Sequence, residues 1–304
     1  MSDLKNIHAQ RVQESILPLF QKKEGQHLLF LTSSSDMGVI RNNGRNGAKY
    51  APRSFLFHFK KMTQDQDLKN WRFSELEVSS QRLEEENFHE AQKEEMNKIK
   101  NSSPLNHQFV CHIGGGHDHI YPLVSALKDQ FKKVIVINID AHADTRTEKE
   151  FHSGTPFRQL DEEVENLVVF QLGLHPYSNS FSTLSPLKKE MPVLWQYELS
   201  EEKIVPFFDK IREEVTSDSL VIFSLDADAL SAHLMPGVSA VNADGLDLKR
   251  LKLIMDEYLK LKLHHPPVLG VYELNPVYDQ LSGLSMNTIA NFLFHTLKHY
   301  KGSV

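Results

Sequence analysis

Cysteine is nearly absent from this 304-residue chain: Cys111 stands alone, so no internal disulfide can form and a reducing compartment is expected. Long apolar runs are missing as well. Nothing approaches the ~20 consecutive apolar residues of a membrane-spanning helix. The opening stretch MSDLKNIHAQRVQESILPLF has neither the basic start nor the apolar run of a signal peptide, so the expectation is a cytoplasmic protein with no membrane partner. Positive charge is not in excess. The 34 Lys and Arg against 40 Asp and Glu give a formal net charge of −6, which offers no general attraction to nucleic acid. Repeats, low-complexity linkers and composition shifts are also lacking. A single domain over residues 1–304 is therefore expected, of a size that buries a substantial core.

What is present is an alternation of short apolar, β-branched runs with helix-like segments, the pattern of an α/β protein with a mostly parallel sheet buried on both faces. The expected strands are 27–31, 109–113, 134–139, 167–172, 220–225 and 268–272. Expected helices are 51–62, opened by Pro52, then 81–99, 119–131, 200–215, 247–262 and 285–299. The 81–99 segment carries so much charge that it is expected to face solvent. Four of the strands run into polar segments: GGGHDH, DAHAD, DAD and ELNP. Carboxyl-end loops are where open α/β sheets form ligand crevices.

In DAHAD, Asp140, His142 and Asp144 occupy alternate positions, so an extended backbone projects all three from one face. Asp226 and Asp228 repeat that spacing after another apolar strand. Neighbouring buried carboxylates are costly unless a cation neutralises them. His117 follows three glycines that let the chain turn at a strand end, and it adds an imidazole. Each segment alone has a plain structural explanation: GGGH as a strand-to-helix turn, D-x-D as a turn or helix cap. Their joint occurrence after three strands does not. Two histidines and four aspartates exceed what one structural zinc takes, and suit two ions that share carboxylates. Oxygen-rich donors with some imidazole favour Mn(II) ahead of Fe(II), Co(II) or Zn(II).

At this point the sequence resembles the ureohydrolase superfamily of arginase, agmatinase and formimidoylglutamase. GGGH, DAH-x-D, S-x-D-x-D and E-x-NP appear in that superfamily's order, in a match running from about residue 35 to residue 279. The resemblance implies an arginase-like three-layer α/β/α fold and a dinuclear Mn(II) site. One ion would be held by His117, Asp140, Asp144 and Asp226, the other by Asp140, His142, Asp226 and Asp228. Homotrimers or hexamers are implied too. Within the superfamily, SDMGVIRNNGRNGA (35–48), HSGTPF (152–157) and MPGVSA (235–240) look more like formimidoylglutamase than arginase. Arginases carry an asparagine where this chain has Arg146, and GLHPYSN (173–179) lacks the aspartate that they place after G-L-R. Formimidoylglutamases in turn usually have proline where Val241 stands.

The resemblance implies hydrolysis of an amidine, with N-formimino-L-glutamate and water giving L-glutamate and formamide. Such a carbon is resonance-stabilised, and two divalent ions can lower the pKa of a shared water from about 15.7 to roughly 7. Asp144 is the candidate to orient that nucleophile and pass its proton to the leaving amine. Glu273 would accept hydrogen bonds from the amidinium nitrogens. A small acidic amino-acid derivative needs local cations, for which Arg146, Arg41 and Arg45 are candidates; Ser153 and Asn179 would add neutral hydrogen bonds. Three other readings compete: a guanidino hydrolase that releases urea, a single-zinc deacylase on a related fold, and a non-catalytic binding protein. Retention of both histidines and all four aspartates speaks against the last two.

Overall fold

The computed structural model describes residues 9–79, 81–184, 187–189 and 191–302. Its centre is one eight-stranded sheet in the order β2-β1-β3-β8-β7-β4-β5-β6. The strands are β1 Gln26–Thr32, β2 Trp71–Glu77, β3 Phe109–Ile113, β4 Lys133–Ile139, β5 Leu167–Leu172, β6 Val193–Leu194, β7 Ser219–Asp226 and β8 Val268–Tyr272. Every neighbouring pair runs parallel.

Alternation along each strand divides the core between the two faces. Ile135, Ile137 and Ile139 of β4 pack on one side with Val221, Phe223 and Leu225 of β7. That side is covered by the helices Ala51–Lys61, Glu201–Glu214, Leu248–Leu259 and Leu284–His299, through residues such as Phe55, Phe208, Ile254 and Phe292. Val134 and Val136, with Leu220 and Ile222, face the other side, where Phe88–Asn101, Ile120–Leu127 and Pro156–Glu163 supply Ile99, Val124 and Leu160. The result is the expected three-layer α/β/α arrangement with its central parallel sheet. Among the described residues no helix is long and apolar enough to cross a membrane.

Two edge strands escaped the sequence reading. β2 alternates Trp71 and Phe73 with the polar Arg72 and Ser74 and ends exposed at Glu75–Glu77, so it lacks the continuous apolar run of a central strand. β6 is two residues long. The segment expected as one solvent-facing helix over 81–99 is two helices, Gln81–Glu86 and Phe88–Asn101. Asn87 divides them: its backbone is extended and its side chain accepts the Glu90 N–H as an N-cap. Nor is this segment merely solvated. Glu84 and Glu95 are buried, and Glu95 accepts hydrogen bonds from Ser33 and from His119 at 2.6 and 2.8 Å.

Candidate metal centre

β3, β8, β7 and β4 are consecutive in the sheet, and the four polar segments leave their carboxyl ends. That adjacency, at roughly 4.8 Å per strand, gathers residues more than 150 positions apart in the chain. Register fixes the rest. Ile139 pairs with Leu225 and Asp226 with Tyr272, so Asp140, Asp226 and Glu273 emerge at nearly one level.

His117 is fully buried, and its Nδ1 lies 2.9 Å from Asp144 Oδ2, 3.1 Å from Asp140 Oδ2 and 3.2 Å from Asp226 Oδ2. None of the three oxygens lies in its hydrogen-bonding direction, so Nδ1 is an orphaned polar atom among anions. Its Nε2 is 2.8 Å from Ser224 Oγ, which orients the ring. A second group lies beside the first: His142 Nδ1 is 3.1 Å from Asp228 Oδ2 and 3.7 Å from Asp140 Oδ1. One donor atom each from His117, Asp140, Asp144 and Asp226 fall within 4.8 Å of one another, as do donors from Asp140, His142 and Asp228. Asp140 belongs to both groups and turns one oxygen toward each histidine. Asp226 is grouped with the first set only; its Oδ1 accepts the Asp228 N–H at 2.8 Å.

These residues fit a pair of divalent cations. An imidazole nitrogen turned toward three carboxylates without hydrogen-bonding any, and a second orphan at Asp228 Oδ1, are the donor set of an ion rather than of a proton network. Electrostatics agree. Burial, reinforced by the charge of Asp140, raises the Asp144 carboxyl to about 6. Burial and the neighbouring Asp228 and Asp140 push Asp226 well above the carboxylate range. His142 is raised by the charge of Asp228 despite its burial. Carboxylates crowded this closely need compensation by cations.

Two of these residues carry left-handed backbone, Asp144 with φ 52° and Glu273 with φ 61°. Side chains other than glycine adopt this region at a cost of ~1 kcal/mol or more, and the surroundings must enforce it. Glu273 N–H donates to Gly115 O at 2.7 Å, and Asp144 O accepts from Phe157 N–H at 3.2 Å. The chain bends at the glycines before His117, as expected, yet none of the three has positive φ. A Cβ on Gly115 would come 1.5 Å from the carbonyl oxygen of Ser35, so it is close packing against the 33–36 segment that demands glycine.

Above the donors lies a cavity of about 340 Å³ lined by His142, Asp144, Asp226, Asp228 and Glu273, with Arg146, Ser153 and Asn179 on its walls. Glu273 is buried and accepts the His117 N–H through Oε1; burial and then the charge of Asp228 raise it to about 8 in the metal-free site, and cations bound among these carboxylates would draw it back toward the ionised form. Arg146 is the one Lys or Arg among the described residues that line the cavity. Arg41 and Arg45 lie outside that lining. The Arg41 guanidinium binds Phe151 O and Glu150 and stacks on Phe88, whereas Arg45 holds Val238 O and Ser239 O and stacks on Tyr278. Both brace loops. Asn179 is committed similarly: it accepts from Ala143 N–H and donates to Ala141 O and His175 O, fixing the loop that bears His142.

Asn42 was not singled out from the sequence. It accepts a hydrogen bond from Arg146 Nη1 and donates to Ser153 Oγ at 3.1 Å, joining two cavity walls. Contacts spanning more than 100 residues leave no local signal. Ser224 was legible in principle, since it precedes Asp226 by two positions and shares its strand face.

A model of the arginase family matches residues 32–298. Formimidoylglutamase of Staphylococcus aureus (strain MSSA476) is 30% identical over 272 residues, covering 86% of this chain and 83% of its own. That of Rhodococcus opacus (strain B4) is 28% identical over 299 residues, with 94% and 90% covered. Formiminoglutamase from Trypanosoma cruzi, crystallised with Mn2+2, superposes with a TM-score of 0.77 at 23% identity over 94% of this chain and 98% of that one. Formimidoylglutamase from Bacillus subtilis gives 0.78 at 19% identity, over 91% and 88%. At such identities the structural likeness speaks for the fold.

Proposed function

This chain belongs to the arginase family of metal-dependent hydrolases that act on linear amidines, and within it we propose a formimidoylglutamase: N-formimino-L-glutamate and water give L-glutamate and formamide. The observation that carries the reading is the pairing, in one cavity, of two cation-binding donor groups with Glu273 and a single guanidinium. Relatives named formimidoylglutamase at about 30% identity support the same substrate.

His117, Asp140, Asp144 and Asp226 would hold one Mn(II). Asp140, His142 and Asp228 would hold the other, with Asp226 as a further ligand by family resemblance. When bound, the ions supply charge and orientation that bring the pKa of water near neutrality.

The chain's own residues do the remainder. Glu273, tied to the His117 N–H, is placed to accept hydrogen bonds from the amidinium nitrogens, an interaction that strengthens as positive charge localises during attack. Asp144 is the group to take a proton from the attacking water and return it to the leaving amine. The new C–O bond forms at the formimino carbon, the C–N bond to the glutamate nitrogen breaks, and that nitrogen leaves as a neutral amine. Arg146 pairs with a substrate carboxylate, while Asn42 holds the guanidinium and Ser153 in place. One sheet takes strands from Gln26 to Tyr272, which supports reading residues 1–304 as a single domain.

Incubation of Mn-loaded protein with formiminoglutamate, arginine and agmatine, followed by assay of formamide, urea and ammonia, tests the reading. Formamide from the first substrate alone is expected. Urea from arginine or agmatine, with no turnover of formiminoglutamate, replaces it with a guanidino hydrolase.

A further inference from the structure

The helices Leu248–Leu259 and Leu284–His299 lie side by side on one face of the sheet, and their last turns reach the amino ends of the strands, opposite the catalytic loops. There His295 and His299, four residues apart and thus on one helix face, stack with ring centroids 4.0 Å apart. Asp256 of the neighbouring helix meets them, its Oδ1 2.9 Å from His295 Nε2. One donor atom from each of the three lies within 4.8 Å of the others. We propose that Asp256, His295 and His299 form a second, separate metal site for a transition-metal dication such as Zn2+, which clamps the two helices together.

Three features carry this. The i, i+4 histidine pair sets two imidazoles side by side on one helix face, and a carboxylate from another helix adds a third donor within 4.8 Å of theirs. The His299 ring is already fixed in the required tautomer: Nδ1–H donates to His295 O at 2.8 Å, leaving Nε2 with its lone pair, the backbone-carbonyl anchoring common to metal-ligating histidines. An ion at about 2.0–2.1 Å from each nitrogen sets tetrahedral donors about 3.3 Å apart. Donors now within 4.8 Å reach that spacing by side-chain rotation, which exposure allows: His299 is exposed and Asp256 half-exposed.

Donor chemistry separates this site from the catalytic one. Two imidazoles and one carboxylate favour Zn2+, Ni2+ or Cu2+ over Mn2+, which comes lowest in the general affinity order and prefers oxygen. The catalytic groups, with four aspartates, take the harder ion. A protein saturated with Mn2+ at the catalytic end therefore retains room for one further ion of a different kind at this second site.

The experiment is calorimetric titration of Mn-loaded protein with Zn2+, elemental analysis of both metals afterwards, and thermal melts with and without Zn2+. Wild type is expected to gain one Zn2+ per subunit with its Mn2+ retained and to melt at a higher temperature. His299→Ala, at an exposed position, and Asp256→Asn, which removes the charge, should each weaken Zn2+ binding by about tenfold or more and abolish the shift. Equal Zn2+ binding by wild type and both variants, or Zn2+ gained only as Mn2+ is lost, overturns the proposal.

Discussion

The carboxylate of Glu273 accepts the backbone N–H of His117 at 3.1 Å, so the end of β8 and the loop after β3 share one hydrogen bond at the floor of the cavity. Glutamine retains an oxygen for that bond and therefore keeps His117 in place. It cannot carry the negative charge that pairs with a developing amidinium. Glu273→Gln should thus bind metal nearly as wild type while kcat falls by about 10²–10³, the scale set by removing one transition-state contact of this kind. Metal lost in parallel with rate would show Glu273 to be a support for the donors.

Asp226 stands between the two donor groups, with Oδ2 facing His117 and Oδ1 accepting the Asp228 N–H. Asparagine preserves the acceptor for Asp228 but deletes an anion. Asp226→Asn is expected to reduce bound metal well below two ions per subunit, read by elemental analysis, and to remove most turnover. Unchanged metal and wild-type turnover would exclude Asp226 as a ligand.

The residues nearest the chemistry were legible from their types and close spacing just after an apolar strand, but not for the reason expected: Asp140, His142 and Asp144 lie beyond the end of β4 at Ile139, in a bent segment where Asp144 is left-handed, rather than on extended backbone. Strand order was not legible. The adjacency of β3, β8, β7 and β4, which makes one site of four segments, comes from long-range pairing and leaves no local mark. Charge is harder to read from sequence. Arg41 and Arg45 are candidate cations for an anionic substrate, and in the structure their guanidinium groups lie outside the cavity lining, against backbone carbonyls and the rings of Phe88 and Tyr278. Glu84 and Glu95 read as a solvated face and are buried against Ser35 and His119.

Arg146 lies on the cavity wall with its side chain 46% exposed, between Asn42 and Glu148. Partial exposure reduces what a paired carboxylate gains relative to a buried site. Removing the guanidinium should cost about 1–2 kcal/mol in transition-state stabilisation, so Arg146→Ala is expected to lower kcat/KM for formiminoglutamate by roughly five- to thirty-fold with metal content intact. Lysine should restore part of the loss. A formimino substrate lacking carboxylates is the control, and its equal sensitivity would mean that Arg146 braces the loop after Asp144.

His265 lies far from the catalytic end, in the turn that leads into β8, and it couples stability to pH. Its Nε2 accepts the Val221 N–H at 2.9 Å, so the proton of the neutral ring resides on Nδ1 and is donated to Pro266 O at 2.8 Å. A second proton would have to sit on Nε2, facing that N–H. Burial accordingly lowers its pKa from 6.5 to about 4. In the unfolded chain the ring takes up a proton near pH 6.5, whereas the folded protein resists until about 4, so between these values the unfolded state binds more protons and stability falls with pH. Above pH 6.5 the contribution is complete; below about 4 no more is lost. From about pH 7.5 to pH 5 the expected loss from this residue is about 2 kcal/mol, read as the difference in urea unfolding free energy at the two values. Substitution by glutamine, which offers Val221 an uncharged acceptor, should flatten that dependence by the same amount. A variant whose stability falls with pH as steeply as wild type would show that His265 already carries its charge in the folded protein.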